Sequence, residues 1–240
     1  VEVLLADGFC YNDLEKKQTV VAKTLFCIGS CSKAFTATSL GILADEGKLD
    51  WNRPVREYLP GFRLQDDYAS QHLNTIDLLS HRSGLPRHDL SWIGSPASRE
   101  ELFARIPHLE PSESFREAWQ YQNYMFMTAG ILAGHLNQTS WEDLVRQKIF
   151  APLEMANSNL TYQEWQESKN QALPYKWLDE EGRYKKLAYR NIDAIGPAGS
   201  INSGAVDMSK WLLLQTSNRR CHGKEVISIK QISRQRSPVI

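Results

Sequence analysis

The stretch Phe26-Cys-Ile-Gly-Ser-Cys-Ser-Lys-Ala-Phe-Thr-Ala37 decides how this chain is read. A β-branched and aromatic run, Thr24–Ile28, ends at Gly29, and the pattern then changes. From Ser32 to Ala44 small, hydroxyl and apolar residues follow one another without a polar face, the composition of a helix buried on nearly every side. Gly47 supplies a left-handed stop, and Lys48 sits near the negative helix end. Ser30 therefore falls where a strand hands over to a buried helix. Lys33, three residues on, shares its face.

Outward from this point, Val1–Ala6 and Phe9–Tyr11 read as strands joined by an Asp7-Gly8 hairpin turn. Ser98-Arg-Glu-Glu101 and Ser228-Ile-Lys-Gln231 are capping boxes, and Ser140-Trp-Glu-Asp143 is a weaker one, so a helix is expected after each. Asn123–Leu136 reads as a second core helix, and Ser203–Gln215 as a helix with one strong apolar face. Asp179-Glu-Glu-Gly182 predicts a turn between extended arms at Tyr175–Leu178 and Arg183–Tyr189. Long loops are expected over 52–74, 81–97 and 106–120. The expected architecture is helix-rich, with a small sheet contribution at the N-terminus.

Composition narrows the function classes. The 28 basic and 28 acidic residues cancel, which leaves no electrostatic footprint for nucleic acid or an anionic membrane face. No apolar run reaches the roughly 18 residues of a membrane span. Four cysteines are too few for a disulfide scaffold and leave the compartment open. The six histidines show no paired zinc spacing, and Cys27 and Cys31 have no matching second pair, so no metal or cofactor is expected. Cys31 lies about 100° around the helix from Ser30 and reads as a small buried hydrophobe rather than a reactive thiol.

Ser30 and Lys33 are the sharpest chemical candidates. Burial makes a lysine easier to deprotonate, and a neutral amine beside a serine can act as its base. The alternative is that Ser30 caps the helix and Lys33 is a solvated first-turn residue. With 21 serines and 13 lysines, about one Ser-x-x-Lys arises by chance, so the triplet alone decides little. A second proton carrier and an amide to orient substrate are needed as well. Tyr-x-Asn supplies both, and it occurs as Tyr121-Gln-Asn123 and as Tyr189-Arg-Asn191, with Ser200-Ile-Asn202 a third pair of similar shape. Tyr121 is favoured because it stands at the entrance of an apolar helix. Its alternative role is a core edge with the hydroxyl in water.

Further segments make the pattern specific. Phe26–Ala37 with Leu43-Ala-Asp-Glu-Gly-Lys-Leu-Asp50 resembles the nucleophile helix of the serine β-lactamase-related family, which includes class C β-lactamases, low-molecular-weight penicillin-binding proteins and esterases. Asp77-Leu-Leu-Ser-His-Arg-Ser-Gly-Leu-Pro-Arg-His-Asp89, Tyr121-Gln-Asn123, Trp141–Met155 and Gly196–Ser203 with Asp207–Trp211 resemble its later signatures, in the family's order. The resemblance implies an α+β fold with helices packed on an antiparallel sheet. It implies Ser30 as nucleophile, Lys33 and Tyr121 as proton carriers and Asn123 as the residue orienting substrate. The implied reaction is acyl transfer through a serine ester and then hydrolysis, on an ester, peptide amide or β-lactam. The implied partner is thus a small-molecule or peptide substrate, with oligomeric state open.

One departure bears on activity. The family's third motif, Lys-Thr-Gly or His-x-Gly on a strand facing the serine, is not found in this chain. Arg82-Ser-Gly84 precedes Tyr121, Lys23-Thr-Leu25 fails at its third position, and His222-Gly223 fits no motif. The chain opens in a strand pattern at Val1 and stops at Ser237-Pro-Val-Ile240 without a closing element. It is therefore expected to be one domain over 1–240, cut at both ends, with an incomplete sheet and low activity and stability alone. The rival reading is a non-catalytic binding or structural protein on the same scaffold.

Overall fold

A computed structural model describes residues 3–216, 220–221 and 224–239. His222 and Gly223 lie outside the described residues. In chain order the strands are β1 (Tyr11–Asp13), β2 (Gln18–Thr19), β3 (Phe26–Cys27), β4 (Tyr175–Leu178), β5 (Arg183–Lys186), β6 (Asn202–Ser203), β7 (Arg220–Cys221) and β8 (Lys224–Glu225). The helices are α1 (Ser32–Asp45), α2 (Val55–Tyr58), α3 (Asp67–His72), α4 (Thr75–Leu79), α5 (Arg99–Arg105), α6 (Asn123–Asn137), α7 (Trp141–Val145), α8 (Tyr162–Glu167), α9 (Ala205–Thr216) and α10 (Ile229–Arg236). Among the described residues the strands pair antiparallel as β1–β2, β3–β6, β4–β5 and β7–β8. The fold is α+β and dominated by helix.

Helix α1 is the axis of the molecule, with ten of its fourteen residues buried. Leu40 and Leu43 join one apolar cluster with Trp51, Phe62, Leu78 and Met125. Phe35 and Ile42 join a second with Trp141, Ile149, Trp211 and Ile232. Phe35 stacks on Trp211 at 3.8 Å between centroids. A helix that faces two cores needs no polar side, which is why its sequence shows none. It ends as read: Gly47 has φ +72°, and the N–H of Lys48 closes on Leu43 O at 2.9 Å.

The chain elsewhere departs from the reading in physical detail. Among the described residues 3–10 carry no strand, and Val3, Leu4 and Leu5 are exposed. The hairpin turns instead at Leu14–Lys17, because the Asp13 carboxylate accepts from the N–H groups of Glu15 and Lys16, both at 3.0 Å. The sheet is not confined to the N-terminus, since β3 pairs with the distant β6 and β4–β5 forms a late hairpin. That hairpin falls where it was read, although β5 stops at Lys186. Segment 52–74 contains α2 and α3 rather than plain loop. Ser98, Ser140 and Ser228 all cap, accepting from the N–H groups of Glu101, Asp143 and Gln231, but only Ser98–Glu101 is the reciprocal box that was read: the Gln231 side chain is hydrogen-bonded to Trp51 and Asp45 instead. Asn74–Asp77 and Thr161–Glu164 are further capping boxes that the sequence reading missed.

The segment Asp193–Ala198 is pressed between α1 and α6. A Cβ on Gly130, in the middle of α6, would lie 2.2 Å from Pro197 Cγ. Helix propensity alone favours alanine over glycine by about 1 kcal/mol. We expect the opposite sign here. Gly130→Ala should destabilise by roughly 1–3 kcal/mol through overpacking, whereas Gly61→Ala, with open space around its Cβ, should be close to neutral in the same denaturant titration.

Candidate active site

The turn Gly29–Cys31 is wound as a single 3-10 turn entering α1. Gly29 has φ +52°, a left-handed conformation that turns the chain out of β3. Ser30 lands exposed at the helix entrance, and Lys33 lands buried one turn along. Ser30 does not cap the helix: α1 has no side-chain cap, and Ser30 Oγ is hydrogen-bonded to the Tyr121 hydroxyl instead. Nor is Lys33 solvated.

The Lys33 amine has three partners. It lies 3.1 Å from Ser30 Oγ and donates to Asn123 Oδ1 at 2.8 Å and to Ala198 O at 2.7 Å. The last two are carbonyl oxygens and can only accept, while the hydroxyl can also donate. An uncharged amine can thus keep both short bonds and turn its lone pair to Ser30. The Lys33 pKa is lowered to about 7, mostly by burial and then by the positive charge of Arg87, with Asp89 opposing the shift. Lys33 Nζ and the Arg87 guanidinium carbon each lie 4.7 Å from the Tyr121 ring centroid.

Neighbouring elements fix these groups. Tyr121 and Asn123 stand at the start of α6, where the Gln122 side chain caps by accepting from Tyr124 N at 2.8 Å. Buried His81 packs 4.7 Å from the Tyr121 ring and accepts through Nδ1 from Gln122 N at 3.0 Å. That contact sets its tautomer, and burial beside Lys33 lowers its pKa to about 4, so it is neutral near pH 7. The Ala198 carbonyl arrives because α1 reads the passing backbone: Ser32 Oγ accepts from Ile201 N at 3.1 Å, and Thr36 Oγ1 donates to Pro197 O at 2.7 Å. A cavity of about 780 Å³ abuts Lys33 from the side of α4 and α10, and Ser30 is not on its wall.

Ser30, Lys33, Tyr121 and Asn123 are therefore brought together. The competing triplets are employed elsewhere. Tyr189 stacks on Trp165 at 3.9 Å and donates to Asn202 Oδ1 at 2.6 Å. Asn191 accepts from Asp193 N, and Ser200 donates to Leu160 O. Cys31 is exposed, which corrects its reading as buried, because the 3-10 turn carries it outward before α1 begins. His81, Arg87, Asp89 and Ala198 O were not picked out individually. The first three lie inside the quoted Asp77–Asp89 stretch, and a backbone carbonyl has no side-chain signature at all. Among the described residues no group of three or more His, Cys, Asp or Glu side chains is placed to hold a metal, and no helix is long and apolar enough to cross a membrane.

Comparison with known proteins agrees with this architecture. The chain is 32% identical over 202 residues to the unguisins hydrolase ungD' of Aspergillus campestris, covering 80% of this chain and 38% of that protein. It spans about two-fifths of the curated relatives ungD' and ungD, at 38% and 39% of their lengths. The octameric penicillin-binding protein homologue from Pyrococcus abyssi superposes with a TM-score of 0.81 at 24% identity, over 97% of this chain and 53% of that one. The D-amino acid amidase from Ochrobactrum anthropi superposes with a TM-score of 0.73 at 24% identity, over 92% of this chain and 62% of the amidase. The beta-lactamase family model matches residues 2–237, and the chain belongs to that family.

Proposed function

We propose that this chain carries the acylation site of a serine hydrolase. Ser30 is the nucleophile, Lys33 and Tyr121 carry its proton, and Asn123 orients the substrate. The observation that carries the reading is the buried Lys33 amine with two fixed carbonyl acceptors and one serine hydroxyl. In the first step Ser30 Oγ bonds to the substrate carbonyl carbon while its proton passes to Lys33 Nζ. The resulting oxyanion is met by the Ser30 backbone N–H at the positive end of α1. The carbon–nitrogen or carbon–oxygen bond then breaks, and the leaving group takes a proton delivered through Lys33 and Tyr121. Water attacks the ester by the reverse relay and frees Ser30. The fold and the hydrolase and amidase relatives support an amide, ester or lactam carbonyl as the reacting group. Because the chain spans 38% of its curated relative, the unit to assay is the full-length protein.

The decisive experiment is covalent labelling with a fluorescent β-lactam or a fluorophosphonate, followed by peptide mapping. We expect the adduct on Ser30 and none in Ser30→Ala. Labelling that persists in that variant removes Ser30 from the role, and no labelling of the wild type by any acylating probe favours a binding scaffold. Tyr121→Phe should slow acylation by about 10²–10⁴-fold, the usual size of a lost proton carrier.

The pH dependence has a definite sign. The base must be uncharged, and burial brings Lys33 down to about 7. Acylation, read as kcat/KM, should fall about tenfold per pH unit below that value and level off above it. His81, at about 4, adds nothing in this window. A limb near the ordinary lysine value would show that the amine is not buried in the working enzyme.

A further inference from the structure

We propose that Asp89 is a positioning residue for this site, holding the carboxamide of Asn123 with one carboxylate oxygen and the guanidinium of Arg87 with the other. Oδ1 accepts from Asn123 Nδ2 at 3.2 Å and from Trp92 Nε1 at 3.1 Å. Oδ2 accepts from Arg87 Nε at 2.6 Å. The proposal deepens the reading of Lys33 as the base, on which it rests.

The first contact decides which way an amide faces. A carboxylate only accepts, so it selects the NH₂ end of Asn123 and leaves the carbonyl for Lys33. A flipped amide would set its donors against the lysine amine. The second contact decides where a charge sits. The Arg87 side chain is 59% exposed and the Asp89 side chain 20%, so the pair contributes little to stability. Its importance lies in position, because it stations a guanidinium over the Tyr121 ring that Lys33 also approaches.

The turn that delivers Asp89 is built. His88 has φ +47°, a left-handed conformation uncommon for a non-glycine residue. It is pinned from both sides: its Nε2 donates to Glu110 O at 2.9 Å, and its carbonyl accepts from Ser91 N at 3.0 Å and Ser91 Oγ at 2.6 Å. Strain held this firmly next to a polar cluster is the pattern of a functional site.

The pair also bears on Lys33 with opposite signs, Arg87 favouring the neutral amine and Asp89 the charged one. The other titratable groups about Lys33 are Tyr121 at the entrance of α6 and His81 from the 81–91 loop. From α10, Lys230, Arg234 and Arg236 share the cavity wall with Lys33. Removing Arg87 with and without Asp89 therefore separates position from mere packing. A purely structural role of Asp89 would leave the effect of Arg87→Gln the same with and without Asp89.

The test is a direct titration of Lys33 by NMR in the full chain, with lysine labelled at Cε and the Lys33 signal assigned by its loss in Lys33→Arg. Arg87→Gln should raise the midpoint by roughly half a pH unit in the wild-type background and by much less in an Asp89→Asn background, where the guanidinium is no longer held over the ring. Asp89→Glu should restore most of the wild-type rise. An equal rise on Arg87→Gln in both backgrounds, or no rise in either, overturns the proposal. Should Asp89→Asn fail to fold, Arg87→Glu, on an exposed side chain, must raise the midpoint beyond Arg87→Gln, and equal midpoints overturn the proposal as well. The titration is readable whether or not Ser30 reacts. Failed labelling would thus sink the hydrolase reading, and equal rises in the two backgrounds would sink this one.

Discussion

One amine constrains the rest of this molecule. Lys33 Nζ is buried, and a buried cation is tolerable only where its N–H groups find acceptors. Those acceptors come from distant parts of the chain: Ser30 one turn back, Asn123 at the entrance of α6, and the Ala198 carbonyl. Each unmet group would cost about 1–3 kcal/mol. The lysine therefore ties three segments together while burial pulls its own charge state toward neutral. The two effects meet in one geometry, because the two carbonyls that satisfy the amine leave its third direction for a hydroxyl.

Holding a backbone carbonyl against α1 requires more than one contact. On the helix side Ser32, Lys33 and Thr36 bond to Ile201 N, Ala198 O and Pro197 O, which accounts for hydroxyl residues on a buried helix face. On the outer side Arg99 donates to Ala194 O at 3.1 Å and Asp193 O at 2.6 Å, and it is itself gripped by both oxygens of Glu142. The fork of a guanidinium suits this double task in a way an ammonium does not. Gly130 admits Pro197 from below. The position of a single carbonyl oxygen thus follows from α1, α5, α6 and α7 together.

Much of this was legible in sequence, and the remainder was not for identifiable reasons. The strand–glycine–serine–helix handover and the all-round burial of α1 both came from composition. The later hairpin came from Asp179-Glu-Glu-Gly182, and the helix starts from their caps. The Asp7-Gly8 hairpin did not form, because a turn pair is only a local preference, while the Asp13 carboxylate fixes a turn by two hydrogen bonds a few residues later. Arg87 and Asp89 were within a quoted motif, yet their roles depend on a left-handed residue between them, and nothing in His88 as a letter announces φ +47°. Ala198 O was beyond sequence reasoning altogether.

The two Tyr-x-Asn triplets show what a motif lacks until it is placed. Tyr121 precedes a helix whose first turn is capped by the intervening Gln122, so the flanking Tyr and Asn are held on a rigid entrance. Tyr189 and Asn191 lie between β5 and the turn at Asp193–Ala198, outside regular structure. There the phenol settles on Trp165 and the amide closes a local turn. The same three letters therefore yield a preorganised pair in one case and two unrelated packing contacts in the other. The difference lies in the buried clamp before α6. Asp77 takes Arg82 Nε at 2.7 Å and Arg116 Nη2 at 2.7 Å with its side chain fully buried. The next turn brings His81 O to Gln120 N at 2.7 Å and His81 Nδ1 to Gln122 N at 3.0 Å. A carboxylate whose own ion pairs are with Arg82 and Arg116 thus braces the segments on either side of the Tyr121 entrance.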